Sequence, residues 1–317
     1  MFVAGASLDR LRSPPGKDLN AINEILFQPR LPATKASWPD PPPPVPSRHA
    51  NHGIWFSQDN ISPNHPASTF KINLNAYGLN IGNFAIVKDP AGGGGYVWRA
   101  FYPKGSYRPK ATDAPVGGVG LYASPIDLSH ANTVKFEYDI YFPVGFEFVK
   151  GGKLPGLYGG REECTGGAIA LDCFSARFMF RELGAGEIYI YVDKYSQDPQ
   201  LCDMSSPLVP GTVCDGTYGY SLGRGSWKFP TGRWMHISQT LTLNSFAPDG
   251  SPLMDGSAIV KADGVTVVSA DRIVWRTFDV RFKGIDFETF FGGSTNDWAT
   301  PKDQYSYYRK MVLTIIE

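Results

Sequence analysis

Two neighbouring segments of the chain, FSARFMFRE and EIYIYVDKY, alternate apolar and polar side chains and are joined by only four residues, LGAG. Alternation with a period of two is typical of a β-strand that buries one face. A short connection containing glycine joins antiparallel neighbours. We therefore expect a β-hairpin whose core face carries Phe174, Ala176, Phe178, Phe180, Ile188, Ile190 and Val192.

The rest of the chain has the same character. Further β-like runs are NTVKFEYDIYFP, RWMHISQTLTLN, SAIVKADGVTVVS and YYRKMVLTII, and an Asp-Gly turn signal divides the third of these. Glycine (35) and proline (26) are abundant, and long amphipathic helices are absent from the pattern. This sequence predicts an all-β fold, a two-sheet antiparallel sandwich or jelly roll with few, short helices.

Composition and charge limit the domain organisation and the partners. Consecutive prolines in WPDPPPPVP predict an extended N-terminal arm over residues 1–50, followed by one β domain over residues 51–317. Basic and acidic residues balance at 30 each, so no overall charge attracts the chain to nucleic acid or to an anionic membrane. No apolar run is long enough to span a bilayer.

The four cysteines form two close pairs, Cys164 with Cys173 and Cys202 with Cys214. We expect two local disulfides and hence an extracellular protein, although the first residues lack the basic start and apolar centre of a signal peptide. A zinc site is the alternative. Its signal is weak because the spacings are not CxxC and no histidine lies within either pair.

The polar face of the predicted hairpin is the first candidate site. Ser175 and Arg177 on one strand lie on the same face as Tyr189 and Tyr191 on the other. Aromatic rings that stack on sugars, a hydroxyl group and a guanidinium that pairs with carboxylates suit an acidic polysaccharide. An ordinary solvated sheet face is the alternative at this stage.

A glycine-rich segment upstream, GGKLPGLYGG, surrounds the single cation Lys153. Residues without a β-carbon would let the backbone approach a sugar closely and present Lys153 on the floor of a groove. A β-bulge or tight turn with a surface lysine is the alternative.

The glycine-rich segment, Ser175-x-Arg177 and Tyr189-x-Tyr191 together resemble the family 14 polysaccharide lyases, which cleave alginate or glucuronic-acid polymers. The resemblance extends over residues 51–317 and is strongest over 149–195. Family 20 glucuronan lyases and fungal cellulose-induced jelly-roll proteins resemble the chain more distantly. The family's active-site set corresponds here to Lys153, Ser175, Arg177, Tyr189 and Tyr191.

The resemblance implies β-elimination. A base removes the proton at C5 of a uronate, an acid protonates the O4 leaving group, and charge develops on the C6 carboxylate. Preorganised cations and donors suit that charge, so Lys153, Arg177 and Ser175 are candidates to grip the carboxylate. Our initial hypothesis makes Tyr191 the principal acid and base, with Lys153 as an alternative base.

Several weaker expectations accompany this one. We expect Tyr158 in the glycine-rich segment and the polar residues Arg181, Lys194 and His236 to bind substrate. Asp286 and Glu288 share a strand face, but neighbouring carboxylates are a poor glycosidase pair. Acidic loop residues such as Asp89 are candidates to ligate a structural Ca²⁺. The predicted chemistry requires no cofactor and no metal, and we expect a monomer.

The sequence leaves open the alternative of a non-catalytic carbohydrate-binding protein with the same fold and groove. It also does not distinguish mannuronate from glucuronate as the preferred sugar, or endo from exo cleavage, because loops decide these properties.

Overall fold

The computed structural model describes residues 53–57, 70–164, 171–202, 209, 211–215 and 217–317. The predicted arm, residues 1–50, lies outside these ranges, so the domain division stays a prediction. All the described residues belong to one compact unit.

Strands dominate this part of the chain. They are β1 Ile54–Phe56, β2 Ile72–Tyr77, β3 Phe84–Lys88, β4 Tyr96–Tyr102, β5 Val119–Ala123, β6 Thr133–Tyr141, β7 Gly151–Gly160, β8 Cys173–Arg181, β9 Gly186–Tyr191, β10 Val213–Cys214, β11 Tyr220–Leu222, β12 Trp234–Thr242, β13 Gly256–Ala262, β14 Val265–Ile273, β15 Phe282–Phe291 and β16 Gln304–Ile315. The helices found in the described ranges are all short 3-10 turns: Leu79–Ile81, Glu182–Gly184, Lys194–Ser196, Pro199–Cys202 and Asn296–Trp298.

The strands form two sheets, each with eight strands. The front sheet has the order β10-β11-β9-β8-β7-β15-β5-β2. The back sheet has the order β14-β13-β12-β6-β16-β4-β3, and β1 pairs with β16. All pairings between these strands are antiparallel. The predicted all-β sandwich is therefore confirmed.

The core lies between the two sheets, and the alternation of β8 and β9 explains how it forms. Phe174, Phe178 and Phe180 have no exposed surface. The ring of Phe178 lies 6.1 Å from the ring of Tyr138 on the back sheet. Each such side chain contributes about 1.5–3 kcal/mol by leaving water, so the alternation fixes which face of the front sheet points inward.

Two predicted turns are also confirmed. The Glu182–Gly184 turn joins β8 to β9 as an antiparallel hairpin. Asp263 and Gly264 connect β13 to β14 with φ angles of 48° and 82°. Two successive residues with positive φ make a type I′ turn, which is why the sequence places Asp-Gly there.

Candidate active site

The hairpin of β8 and β9 brings four of the five predicted catalytic side chains together. Ser175 pairs in register with Tyr191, and Arg177 pairs with Tyr189. Directly opposed residues of an antiparallel pair share one face. The predicted patch therefore exists, on the face of the front sheet that points away from the core.

Lys153 joins this patch from β7, the next strand of the front sheet. It lies opposite Met179 of β8, and a bulge then separates it from Gly156, which lies opposite Arg177. A β-bulge shifts the register and re-aims the side chains beside it. The glycine-rich segment thus forms a β-strand that is interrupted by a bulge, and the bulge directs the side chain of Lys153 toward the patch.

The glycines of β7 have a different physical reason from the one that the sequence suggested. A β-carbon on Gly152 would lie 2.4 Å from the ring of Phe180, and one on Gly156 would lie 1.9 Å from the carbonyl oxygen of Ala176. Protein atoms fill the space beside these two residues. They are glycines because core rings and the backbone of β8 pack against them, not because a sugar approaches there.

Lys153 is almost fully enclosed, with 6% of its surface exposed. Its Nζ lies 2.8 Å from Sδ of Met179. The same nitrogen is 3.3 Å from the centre of the Tyr189 ring and 5.3 Å from the centre of the Tyr191 ring. Burial, together with the nearby cations Arg177 and Arg181, lowers the pKa of Lys153 well below its ordinary value.

Arg177 is fully buried and is neutralised from β15. Its Nη1 pairs with Glu288, and its Nε lies 3.3 Å from Oδ2 of Asp286 in an ion pair without hydrogen-bond geometry. Burial lowers the pKa of the guanidinium, but the two carboxylates more than offset this, and the pKa rises. Burial also raises the pKa of Asp286, to about 8, against the attraction of Arg177.

Asp286 and Glu288 are the site residues whose role the sequence did not reveal. Alternation correctly placed both on one strand face. The missing information was that β15 pairs with β7, where Asp286 lies opposite Gly156. That contact joins residues 130 positions apart, and no local pattern encodes it.

Ser175 has a fixed hydrogen bond of its own. Its buried hydroxyl group donates to the carbonyl oxygen of Cys164, with 2.9 Å between the two oxygens. Cys164 is disulfide-bonded to Cys173 at the start of β8, and both cysteines pack against Tyr189 and Tyr191. The hydrogen bond from Ser175 therefore holds Cys164 in place beside the two tyrosines.

Both predicted disulfides are present, since Cys202 is also bonded to Cys214. The described residues include no free cysteine, so the alternative of a cysteine zinc site is wrong. Cys202 and Cys214 pack against the main core, not against the tyrosines.

The two tyrosines form the aromatic wall of the site. Each has 7% of its surface exposed, and their rings meet edge to face with centres 5.3 Å apart. Burial and the neighbouring Tyr191 raise the pKa of the Tyr189 phenol. The guanidinium carbon of Arg177 lies 5.4 Å from the centre of the Tyr191 ring.

Of the four residues predicted to bind substrate, Arg181 lies nearest to the site. It is 5.8 Å from the Tyr189 ring and forms an ion pair with Glu187 at 2.6 Å. Lys194 lies just after β9 in a 3-10 turn and is half-buried. Tyr158 is on the front sheet but has no exposed surface, and its hydroxyl oxygen accepts a hydrogen bond from Asn73.

His236, also predicted to bind substrate, lies outside the front-sheet patch. It lies on β12 of the back sheet, and its imidazole is bonded to Asp139 and Glu137 at 2.9 and 3.2 Å. The sandwich core separates it from Lys153. The period-two pattern gave its strand face correctly but not the sheet to which the strand belongs.

Asp89, a candidate Ca²⁺ ligand, is paired with a cation. Its carboxylate accepts hydrogen bonds from Arg309 at 2.7 Å and from the indole of Trp234 at 3.1 Å. Within the described ranges, no group of three His, Cys, Asp or Glu side chains has the arrangement of a metal site. No helix in those same ranges has the length and apolarity needed to cross a membrane.

Residues 91–311 match the family model described as Polysaccharide lyase 14. The crystal structure of a marine alginate lyase of that family from Aplysia kurodai is 32% identical, with a TM-score of 0.62 over 74% of this chain and 87% of that one. No curated protein matches this chain.

Two further solved structures are similar. The alginate lyase vAL-1 from a Chlorella virus is 26% identical, with a TM-score of 0.64 over 78% of this chain and 93% of that one. An endo-β-1,4-glucuronan lyase from the fungus Trichoderma reesei is 9% identical, with a TM-score of 0.50 over 82% and 94%, and shares the fold alone. The family match spans most of the chain and contains Lys153 and both tyrosines. The chain therefore belongs to the polysaccharide lyase 14 family, and its enzyme class is that of a polysaccharide lyase.

Proposed function

We propose that this protein cleaves an alginate-type β-1,4-linked polyuronate by β-elimination, with the front-sheet patch as its active site. The supporting observation is the enclosure of Lys153 by Tyr189, Tyr191 and Met179. The two solved structures named above that are more than 25% identical to this chain are alginate lyases by description. Polymannuronate is accordingly the first substrate to test and glucuronan the second.

In the proposed reaction the C5–H bond breaks, a C4=C5 double bond forms, and the C4–O4 bond breaks. One proton leaves C5 and one proton joins O4, so the reaction consumes no other reactant. Proton transfer of this kind needs neither an oxidant nor a reductant. We propose no cofactor for it.

We assign the base to Lys153. A lysine accepts a proton only when its amine is neutral, and a lowered pKa increases the neutral fraction at neutral pH. Burial and the cations Arg177 and Arg181 supply that lowering. This assignment replaces the initial hypothesis, in which Lys153 was a charged partner, because a buried lysine between two arginines is a poor permanent cation.

We assign protonation of O4 to Tyr191. The face of the Tyr189 ring is occupied by Lys153, and the raised pKa of its phenol opposes loss of a proton. Tyr191 is the tyrosine that lies beside the buried guanidinium of Arg177, whose carbon is 5.4 Å from the centre of its ring. In this proposal Arg177 acts through its charge beside the reacting tyrosine; its Nη1 is bonded to Glu288, whereas its Nε and Nη2 have no hydrogen-bond acceptor in the described ranges.

We further propose that the enzyme acts outside the cell as a monomer. The two disulfides support an oxidising compartment. An extracellular location also suits a substrate that is a long, charged polymer.

The experiment is to incubate the protein with polymannuronate, polyguluronate, glucuronan and pectate and to follow the ultraviolet absorbance of the conjugated C4=C5 uronate. Lys153→Ala is expected to lower the rate at least about 100-fold. Lys261→Ala, which removes an exposed lysine of the back sheet, is the matched control and should leave the rate unchanged.

The tyrosine assignments are tested separately. Tyr191→Phe should lower turnover about 100-fold or more, whereas Tyr189→Phe should retain more activity because it keeps the ring against Lys153. Equal and near-normal turnover in both variants would overturn the assignment. Absence of absorbance with all four polymers would overturn the proposed function.

A further inference from the structure

The outward face of the back sheet carries a row of aromatic side chains that the proposed reaction does not use. Trp234 on β12 pairs in register with Tyr141 on β6, which pairs with Tyr307 on β16. On the neighbouring rung, Tyr305 of β16 pairs with Phe101 of β4. We call these five residues the back strip.

The rings of the back strip touch one another in sequence. The ring centres of Trp234 and Tyr141 are 5.4 Å apart, and those of Tyr141 and Tyr307 are 5.8 Å apart. Tyr305 is 6.5 Å from Tyr307 and stacks on Phe101 at 5.0 Å. The row crosses four adjacent strands, a width of about 14 Å at the usual strand spacing.

The back strip faces away from the core. Its residues alternate with fully enclosed core side chains on the same strands, such as Ile140 beside Tyr141 and Tyr308 beside Tyr307. Four of the five rings are half-buried, and Tyr141 is 8% exposed. The outward face of an antiparallel sheet normally carries polar side chains, so a contiguous aromatic row there indicates a binding surface.

Arginines flank the strip. The guanidinium carbon of Arg309 lies 4.1 Å from the Trp234 ring and that of Arg99 lies 4.8 Å from the Tyr305 ring. Arg309 is neutralised by Asp89 and Asp139. Arg99 has no carboxylate partner in the described ranges, and its buried Nε has no hydrogen-bond acceptor there.

The remaining charges beside the strip favour an anionic ligand as well. Three further cations lie along the strip, namely Lys135, His236 and Lys310. Together with the two arginines they lie beside three carboxylates, those of Asp89, Glu137 and Asp139. Hydrogen bonds from Asp139 and Glu137 raise the pKa of His236 to about 9, so the imidazole is charged at neutral pH. These named side chains therefore comprise five cations and three anions.

We propose that the back strip is a second binding surface for the acidic polysaccharide, on the opposite side of the sandwich from Lys153. The rings of Trp234, Tyr307 and Tyr305 stack on the apolar faces of the sugars, and Arg99 pairs with a uronate carboxylate. The choice of polymer rests on the proposed function. The chemistry of the surface, aromatic rings beside an unpaired guanidinium, is independent of it.

A surface of this kind keeps the enzyme on its polymer between cleavage events. Once one stretch of chain is bound at the back strip, other stretches are held near the front sheet at a raised effective concentration. This advantage exists for long polymers and for gels. Short oligomers, which engage only one surface at a time, gain nothing.

Polymer binding is measured best in Lys153→Ala protein, so that the ligand is not consumed. Affinity electrophoresis in gels containing polymannuronate or glucuronan compares this protein with forms that also carry Trp234→Ala and Tyr307→Ala. We expect binding to weaken about five- to tenfold. Phe278→Ala removes a ring that is 62% exposed outside the strip and is the matched control.

Arg99→Gln is the second variant, because it leaves all five rings and removes no hydrogen bond found in the structure. It should weaken polymer binding and reduce its dependence on salt. In protein with Lys153 intact, the same variants should raise KM for long polymer and leave kcat/KM for short uronate oligomers unchanged. Arg99→Gln should leave the affinity for a neutral β-1,4-glucan unchanged, because that polymer has no carboxylate.

Two results would overturn the proposal. One is unchanged polymer binding in both the ring variants and Arg99→Gln. The other is a lower melting temperature in the ring variants with unchanged polymer affinity, which would mean that the rings pack against another part of the chain. Because binding is measured without turnover, failure of the lyase assay would not mask either result.

Discussion

The amine of Lys153 lies 3.3 Å from the centre of the Tyr189 ring. A ring face attracts an ammonium ion, yet burial and two nearby arginines favour the neutral amine. The balance lowers the pKa of Lys153. The lowered pKa favours the neutral amine of Lys153 against an aromatic wall, and the neutral amine is the form that can accept a proton.

Arg181 is one of the cations that lower the pKa of Lys153, so its removal should raise that pKa. In Arg181→Gln the acid limb of the profile of kcat/KM against pH should move to higher pH. Loss of Arg181 also removes one of the two cations paired with Glu187, whose carboxylate raises the pKa of Lys153 and so acts in the same direction. The pH profile on polymannuronate measures the shift.

The control for this prediction is Arg233→Gln, which breaks an exposed ion pair with Asp263 far from the front sheet. Its profile should coincide with that of the parent protein. An unmoved acid limb in Arg181→Gln would show that the limb does not report the titration of Lys153.

Arg177 should be essential for stability as well as for activity. Arg177→Met leaves the buried carboxylate of Glu288 without its cation, which typically costs about 3–5 kcal/mol. Chemical denaturation measures this loss. A free energy of unfolding within about 1 kcal/mol of the parent would contradict the buried ion-pair network.

Asp286→Asn should have a much smaller effect, and one that depends on pH. Burial raises the pKa of Asp286 to about 8, above the ordinary value of 3.8, so the folded protein holds a proton that the unfolded chain releases. The free energy of unfolding therefore falls as the pH rises through the window between 3.8 and about 8. Asp286→Asn should remove that fall, and denaturation at pH values near both ends of the window tests it.

The two disulfides should differ in their effect on catalysis. Replacing Cys164 and Cys173 by serine should lower the free energy of unfolding by about 2–3 kcal/mol and also lower kcat/KM, because both cysteines pack against the tyrosines. Replacing Cys202 and Cys214 is the matched control. It should cost similar stability while leaving kcat/KM nearly unchanged.

His236 should make the stability depend on pH in the alkaline range. Its pKa is about 9 in the folded protein against an ordinary value of 6.5, because Asp139 and Glu137 accept its hydrogen bonds. The contribution of the charged His236 to the free energy of unfolding is complete below pH 6.5 and is lost as the pH rises through about 9. Since 40% of the side chain is exposed, we expect only about 1 kcal/mol. In His236→Gln the free energy of unfolding, measured by chemical denaturation, should change less with pH across this range than in the parent protein.

The local sequence was sufficient for several features of this protein. Period-two alternation in β8 and β9 placed Ser175, Arg177, Tyr189 and Tyr191 on one face, and cysteine spacing gave both disulfide pairs. These features depend on residues close together in the chain, where a single geometric rule, side chains pointing to alternate sides, decides the outcome.

The tertiary structure decided which strands are neighbours. The pairing of β7 with β15 put Asp286 and Glu288 against Arg177, and the position of β12 in the back sheet took His236 away from Lys153. Strand order results from the packing of a whole core, in which each strand's buried face is nearly equivalent to another's. For that reason the sequence by itself determined the faces and the hairpins, while the electrostatic state of Lys153 followed only from the assembled sheet.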